Sequence, residues 1–164
     1  MSFRITGLDP APFRHLFGAP EDVLAAHGAR RMVADRKPGF PDRIALRDAE
    51  PGETLLLLNY VHLDGDTPYR ASHAIFVNEG ATEAFDRVDE IPEPLLLRPI
   101  SLRAFDAAHD MRDAELVDGC GLERAIATML TDPAVAYLHA HYAKRGCYAA
   151  RIERAAGAAP IQDV

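Results

Sequence analysis

The sequence is poor in several residue types, and each shortage excludes something. It contains no tryptophan, two cysteines and only two lysines, Lys37 and Lys144, against sixteen arginines. Its most apolar run, the four leucines at 55–58, is far too short to span a bilayer. The first residues also lack the apolar segment of a secretory signal. We therefore expect a cytoplasmic protein without membrane association, in which Cys120 and Cys147 are free thiols.

The charge balance excludes a second class of partner. The formal net charge is −7, and arginine pairs such as Arg30-Arg31 are diluted by aspartate and glutamate. A nucleic-acid-binding protein needs a basic face, so we expect no nucleic-acid partner. Length and ordinary globular composition predict a single domain over 1–164, with a core over 1–155 and a flexible tail over 156–164. The oligomeric state stays open.

The apolar pattern predicts an α+β fold: a mainly antiparallel β-sheet of hairpins with a few short helices. The strongest strand predictions are 55–63 and 70–77, which a polar loop joins as a hairpin. The strongest helix prediction is 121–130, where Leu122 and Ile126 lie on one apolar face. No internal repeat interrupts this single-domain pattern.

Three further segments give less regular predictions. A strand is predicted at 44–46, and 79–94 is predicted as a loop with one turn of helix. Pro99 has no N–H group to donate, so 95–105 is predicted as a strand at a sheet edge or with a break.

Reactive side chains concentrate near the carboxyl end, in a second predicted hairpin. Alternation predicts strands at 135–143 and 147–154, joined by the three-residue loop 144–146 with glycine in the left-handed position. This register pairs His139 with Arg151, and it pairs His141 with Ala149 and Ala143 with Cys147. One face then carries Tyr137, His139, His141, Cys147 and Arg151. The other face has the character of core and carries Leu138, Ala140, Tyr142, Tyr148, Ala150 and Ile152.

The middle hairpin offers further histidines. If residue 63 pairs with residue 70, His73 lies opposite Tyr60 and on the same side as His62. One interpretation makes His73 a hydrogen-bonded core histidine. The other brings it within side-chain reach of His139 and His141.

The preferred functional interpretation is a pocket for a small, anionic molecule between the two hairpins. Arginine suits this role because its planar fork matches carboxylate and phosphate groups. The candidate ligand-binding residues are Tyr69, Arg70, His73, His139, His141 and Arg151. The alternative for Arg151 is an internal ion pair with a carboxylate such as Glu153 or Asp118.

A metal site is a second interpretation. The pair His139 and His141 places two imidazoles on one side of a strand, and Cys147, His62 or His73 would have to supply a third ligand. No aspartate or glutamate stands at the matching spacing, so a divalent transition metal is the less favoured cofactor.

Thiol chemistry is a third interpretation. A histidine beside a cysteine favours the thiolate, which makes Cys147 and His141 candidate catalytic residues of a hydrolase or transferase. Whether the protein is an enzyme stays open. A structural or interaction protein is the remaining class, and it predicts buried, mutually satisfied side chains with no pocket beside them.

Four blocks in order resemble a known family. They are Pro38-Gly-Phe-Pro, Asp48-Ala-Glu-Pro-Gly-Glu-Thr-Leu-Leu-Leu, Pro68-Tyr-Arg-Ala-Ser-His-Ala-Ile-Phe-Val77, and His139-Ala-His with Gly146-Cys-Tyr-Ala-Ala-Arg151. The chain resembles, over nearly its whole length, a bacterial family called domain of unknown function 1203. The resemblance implies a single-domain cytoplasmic protein and no catalytic residues. This chain has Asp42 where the family often has cysteine, which weakens any mechanism that pairs Cys147 with a second thiol.

Overall fold

The computed structural model describes residues 1–155, so the tail predicted at 156–164 lies outside the described residues. Within them the chain forms the predicted α+β fold of mainly antiparallel sheet with short helices. The strands are β1 (Phe3–Thr6), β2 (Arg30–Val33), β3 (Thr54–Leu63), β4 (Ala71–Asn78), β5 (Asp86–Val88), β6 (Ile100–Phe105), β7 (Met111–Val117), β8 (Tyr137–Tyr142) and β9 (Cys147–Arg154). The helices are α1 (Glu21–Ala26), α2 (Glu93–Leu96) and α3 (Leu122–Met129), with 3₁₀ turns at Ala11–Leu16 and Gly119–Gly121.

The strands form two sheets, and the described strand pairs are antiparallel. The larger sheet has the order β5-β1-β9-β8-β6-β7, and the smaller has the order β2-β3-β4. Leu56 and Ile75 of the smaller sheet form one buried cluster with Tyr148 of β9. The β3–β4 hairpin therefore packs against the β8–β9 hairpin, which brings together the two hairpins that the sequence singles out.

Helix α3 covers the larger sheet, close to the bounds predicted for it. Leu122 and Ile126 are fully buried, and they share a core cluster with Leu138 of β8 and Ile152 of β9. Burial of a large aliphatic side chain contributes about 1.5–3 kcal/mol, so this apolar face fixes the helix on the sheet. No helix among residues 1–155 is long and apolar enough to cross a membrane.

Three local predictions are wrong. The segment 44–46 is not a strand, because Leu46 takes a positive φ of 49° and turns the chain while its side chain stays buried. The loop predicted at 79–94 contains the short strand β5, which pairs with β1. The strand β6 is interior, between β8 and β7, and not at an edge. Pro99 lies just before β6, where its missing N–H removes no ladder hydrogen bond.

Candidate functional site

The β8–β9 hairpin contains an irregularity that changes its two faces. His139 pairs with Arg151 as predicted, but the register then shifts, so that His141 pairs with Tyr148 and Tyr142 with Cys147. The reason is the turn, where four residues at 143–146 connect the strands instead of the predicted three, and Gly146 takes a φ of 75°. The extra residue, Ala149, is in β9, so the bulge reverses the faces of the β9 residues between it and the turn.

The predicted faces of two residues are therefore wrong. Tyr148, assigned to the core face, lies on the side of the histidines, where its ring stacks on His62 with centroids 5.2 Å apart. Cys147, assigned to the histidine face, pairs with Tyr142 on the opposite side. The predicted neighbours Cys147 and His141 are thus separated by the hairpin itself, although Cys147 stays close to the turn.

Four histidines gather between the two sheets and are called here the histidine cluster: His62, His73, His139 and His141. The ring of His62 lies 5.0 Å from that of His73, 4.9 Å from that of His141 and 5.5 Å from that of His139, measured between centroids. The ring of His73 lies 5.4 Å from that of His141. The sequence-based expectation that His73 reaches the terminal hairpin is therefore met at His141.

Burial keeps the histidine cluster neutral. It lowers the pKa of His139 to about 2, that of His141 to about 3 and that of His62 to about 4. Burial also lowers the pKa of His73. An imidazolium in this position would lose its hydration without gaining a carboxylate partner, so the uncharged ring with its free lone pair is favoured.

Several ring nitrogens of the histidine cluster are buried without a hydrogen-bond partner among residues 1–155. They are both nitrogens of His62, Nδ1 of His73, Nδ1 of His139 and Nε2 of His141. In contrast, Nδ1 of His141 donates to the carbonyl oxygen of Gly146 over 2.9 Å. Buried polar atoms are nearly always paired in folded proteins, and each exception carries a cost of about 1–3 kcal/mol. The histidine cluster thus concentrates several such exceptions in one place.

Arg103 of β6 is a neighbour that the sequence reasoning missed. It pairs with His139 across the β6–β8 ladder and so lies on the same face of the sheet. Burial lowers the pKa of Arg103, and its charge contributes to the low pKa of His62, His73 and His141. Arg103 therefore borders the histidine cluster with a positive charge, and the charges of Arg151 and Arg43 act in the same direction on His139 and His73.

A cleft of about 790 Å³ opens beside the histidine cluster, and we call it the basic cleft. Its walls come from the loop at 36–43, from β3 and β4, from 97–99 and from the turn at 142–147. Its basic residues are Arg36, Arg43, Arg98, Lys144 and Arg145, and its lining includes no aspartate or glutamate. The residues that line the cleft therefore carry positive charge, although the whole chain has a formal net charge of −7.

Arg43 is the most buried cation of the basic cleft, with 1% of its surface exposed. Its guanidinium donates to the carbonyl oxygens of Tyr148, over 2.7 Å, and Pro41, and to Cys147 Sγ over 3.1 Å. None of the ion pairs within residues 1–155 includes Arg43. A buried charge held only by neutral acceptors is costly in free energy.

Tyr142 offers a second unused group in the basic cleft. Its ring lies between two guanidinium groups, with Arg43 at 4.9 Å and Arg98 at 5.2 Å from the centroid. Its hydroxyl is buried without a hydrogen-bond partner in the described part of the chain, and burial raises its pKa to about 12. The hydroxyl therefore keeps its proton and is available as a donor. Arg98 is less available, because Asp48 already pairs with it at 2.7 Å.

Three of the predicted ligand-binding residues have other partners. Arg70 is exposed and pairs with Asp64 at 2.8 Å, and Tyr69 is exposed at the same loop. Arg151 pairs with Glu153 at 2.6 Å, the internal ion pair that the sequence left open, and lies 3.8 Å from the centre of the Tyr137 ring. None of the three lines the basic cleft.

The remaining predicted residues divide between two adjacent places. His139 and His141 belong to the histidine cluster, Cys147 lines the basic cleft, and His73 belongs to both. Arg43 and Arg98 were missed because each is a single charged residue in an irregular loop, where no periodicity or motif marks it. The two cysteines are free thiols in the described residues, as expected.

These features define a class: a small α+β protein with two antiparallel sheets, a buried histidine cluster between them and a basic cleft at their edge. The chain belongs to the family described as Protein of unknown function (DUF1203), whose sequence profile matches residues 39–154. The matched region includes the whole histidine cluster and the basic residues of the cleft except Arg36. No curated protein and no solved structure matches the chain.

Proposed function

We propose that this protein binds a small organic anion, a carboxylate or a phosphate, in the basic cleft. The observation that carries the proposal is Arg43, a buried guanidinium that has no carboxylate partner among the described residues. An oxyanion beside it would supply the missing charge, and an arginine fork is well suited to bind one.

Two exposed cations also support anion binding in the basic cleft. Lys144 and Arg145 lie in the turn between β8 and β9, line the cleft, and take part in none of the ion pairs within residues 1–155. Cations at a cleft entrance raise the local concentration of anions and speed their association. Lys144 and Arg145 therefore act as an attracting rim, whereas Arg43 lies at the buried end.

The walls of the basic cleft indicate the rest of the ligand. Phe40 and Phe76 pack together with ring centroids 5.3 Å apart, and both line the cleft with Met32 and Leu57. The volume of about 790 Å³ lies within the range of small-molecule sites, which are mostly apolar with a few polar groups that fix orientation. A ligand with one anionic group and an apolar or aromatic body fits this lining.

The orphaned hydroxyl of Tyr142 argues against a purely structural role for these residues. A structural protein would be expected to satisfy its buried donors internally, yet this hydroxyl and several histidine nitrogens have no partner. An oxyanion held by Arg43 would also accept the hydrogen bond from Tyr142.

Calorimetric titration tests the proposal, with inorganic phosphate, phenyl phosphate and benzoate as probes and chelator-treated protein in the cell. We expect one site per chain, and tighter binding of phenyl phosphate than of inorganic phosphate because of the apolar walls. Tyr142→Phe removes only the hydroxyl, and we expect it to weaken phenyl phosphate binding about 10-fold, as for a hydrogen bond to a charged group.

The matched control is Arg70→Gln, which removes an exposed arginine outside the cleft. Binding by this variant should equal that of the wild type, whereas Arg145→Gln should bind more weakly and with a smaller dependence on salt. Absence of binding by all three probes, or an equal loss in Arg70→Gln, would contradict the proposal.

One contact favours a second candidate function, a cysteine-dependent reaction in the same cleft. Cys147 Sγ accepts a hydrogen bond from the Arg43 guanidinium at the wall of the cleft, where the sulfur borders the space open to a ligand. The partner is thus an arginine and not the predicted His141. If Cys147 takes part in such a reaction, iodoacetamide should alkylate it at pH 7 faster than the exposed Cys120. Mass spectrometry of the wild-type protein measures the two rates. Slower reaction at Cys147 would count against the thiol reaction and leave anion binding unaffected.

A further inference from the structure

The histidine cluster contains three ring nitrogens in an arrangement that anion binding in the basic cleft does not explain. Ligand atoms of His62, His73 and His141 all lie within 4.8 Å of one another. They come from three strands, β3, β4 and β8, and so from both sheets. The packing of the two hairpins, and not any local sequence motif, assembles this trio.

Four ring nitrogens of the trio have no hydrogen-bond partner in residues 1–155. Both nitrogens of His62, Nδ1 of His73 and Nε2 of His141 are buried and lack hydrogen bonds. A neutral imidazole has one donor and one acceptor nitrogen, so each ring has a lone pair available for a cation. No hydrogen bond within the described residues competes for these atoms.

The tautomer of His141 is fixed in the form that a metal requires. Its Nδ1 lies 2.9 Å from the carbonyl oxygen of Gly146, which can only accept, so Nδ1 carries the proton. The lone pair is then on Nε2, the unpartnered atom. A second-shell carbonyl that orients the ring in this way is the usual support of a histidine ligand in metal sites.

We propose that His62, His73 and His141 bind one divalent transition metal, with zinc as the preferred occupant. Three imidazoles and an open fourth position form a common zinc arrangement. Zinc bonds of about 2.0–2.1 Å place tetrahedral ligands about 3.4 Å apart, so ligand atoms as far apart as 4.8 Å would approach each other by up to about 1.4 Å when the ion binds. His139 lies outside the trio and is a packing neighbour, which differs from the pair His139 and His141 considered from the sequence.

The charges around the trio determine the fourth ligand. The trio itself contains no carboxylate, the positive charge of Arg103 acts on all three of its histidines, and that of Arg43 acts on His73. Arg103 would disfavour a bare cation but would stabilise a metal that carries an anion in the open position, such as hydroxide or a carboxylate. The site is therefore expected to bind zinc together with an anionic fourth ligand.

This inference goes beyond anion binding in the basic cleft and does not depend on it. His73 is the one trio residue that also lines the basic cleft. Arg43, Tyr142 and Arg145 are needed for the proposed anion binding, and none of them is a metal ligand here. Failure of one proposal therefore leaves the other standing.

The test is titration of chelator-treated wild-type protein with Co²⁺, followed by displacement with Zn²⁺. We expect one Co²⁺ per chain with the visible absorption of a four-coordinate site, lost when Zn²⁺ is added. Since the measurement uses the wild-type chain, it does not depend on the folding of any variant. Binding of less than one metal ion per chain at saturation, or a six-coordinate spectrum, would overturn the proposal.

Variants then assign the ligands. His62→Gln, His73→Gln and His141→Gln should each weaken Zn²⁺ binding by more than about 100-fold, because loss of a group behind a ligand already costs about 10–100-fold. His15→Gln removes an exposed histidine outside the cluster and should leave the affinity unchanged. His139→Gln should also retain binding within about 10-fold. An equal loss in His139→Gln or His15→Gln would overturn the assignment of the trio, and circular dichroism checks that each variant is folded.

Discussion

The histidine cluster and the basic cleft share a hairpin and one residue, yet their electrostatic character is opposite. In the cluster, burial favours neutral rings with unused lone pairs. In the cleft, Arg43 stays among neutral acceptors as a buried cation without an ion-pair partner in the described chain. The bulge in the β8–β9 hairpin separates the two, since it places Tyr148 with the histidines and Cys147 with Arg43.

This difference shows that the type of side chain alone does not define a site. The candidate histidines and arginines were expected to form one anion pocket together, but in the structure Arg70 and Arg151 pair with Asp64 and Glu153 outside the cleft. Ring nitrogens without a partner in residues 1–155 gather in the cluster, which Arg103 borders, whereas five basic side chains line the cleft. His73 belongs to both regions, so a ligand bound in one region could affect the other region through this residue.

The largest expected effect concerns pH and the histidine cluster. Burial lowers the pKa of His139 to about 2 and that of His141 to about 3, while the unfolded chain keeps the ordinary value of 6.5. Below pH 6.5 the unfolded chain therefore takes up protons that the folded protein does not. The contribution of the two neutral histidines to the free energy of unfolding is complete above pH 6.5. It decreases as the pH falls from 6.5 towards about 3, by about 1.4 kcal/mol per pH unit for each histidine.

Urea unfolding of chelator-treated protein between pH 7 and 5 measures this effect. The two histidines together are expected to remove about 4 kcal/mol by pH 5. His139→Gln should show a shallower dependence, and the exposed His15→Gln should show the wild-type slope. If the slope of His139→Gln equals that of the wild type, the ring of His139 is not held neutral by burial.

A smaller effect is expected from Arg43 in the cleft. Arg43→Met leaves the carbonyl oxygens of Tyr148 and Pro41 buried without a donor, so we expect a loss of about 3 kcal/mol in the free energy of unfolding. Arg112→Met is the matched control, because Arg112 is half-exposed and its one ion pair is long, at 4.0 Å. That control should change stability by less than about 0.5 kcal/mol. Equal effects of the two substitutions would show that Arg43 is not a buried anchor.

The smallest effect compares two tyrosines of β8. The hydroxyl of Tyr137 bonds to His109 Nδ1 at 2.7 Å, whereas that of Tyr142 is buried and unpartnered. Without anions in the buffer, Tyr137→Phe should lower stability by about 1 kcal/mol and Tyr142→Phe should raise it by about 1 kcal/mol. When thermal unfolding is measured with phenyl phosphate present, the wild type should be more stable than Tyr142→Phe. A loss of stability in Tyr142→Phe without anions would mean that its hydroxyl already has a partner.

Much of the fold could be predicted from the sequence, because alternation and apolar periodicity report burial directly. The hairpins, the helix α3 and the antiparallel character are examples. The interior position of β6 could not be predicted, since Pro99 was taken as an edge signal although it precedes the strand. The strand prediction at 44–46 was wrong because buried apolar side chains in a loop give the same sequence pattern as a short strand.

The candidate site was predictable only in part. The proximity of His73 to His141 depended on two predicted pairs, Tyr60 with His73 and His139 with Arg151, and the structure has both. The assumed pairing of residue 63 with residue 70 is wrong, because a register shift at His62 pairs residue 63 with residue 71. The faces of Cys147 and Tyr148 depended on the length of one turn, and a single extra residue exchanged them. The role of Arg43 depends on contacts with β9, more than a hundred positions away along the chain, and no local pattern reports such contacts.

The most direct test of the central claim, anion binding in the basic cleft, is an amide ¹H–¹⁵N correlation spectrum of the chelator-treated protein titrated with phenyl phosphate. The account predicts that the largest saturable shifts lie at the amides of Arg43 and of the turn at 143–147, with small changes at Arg70 and Arg151. Shifts concentrated at Arg70 and Arg151, or no saturable shifts at all, would contradict it.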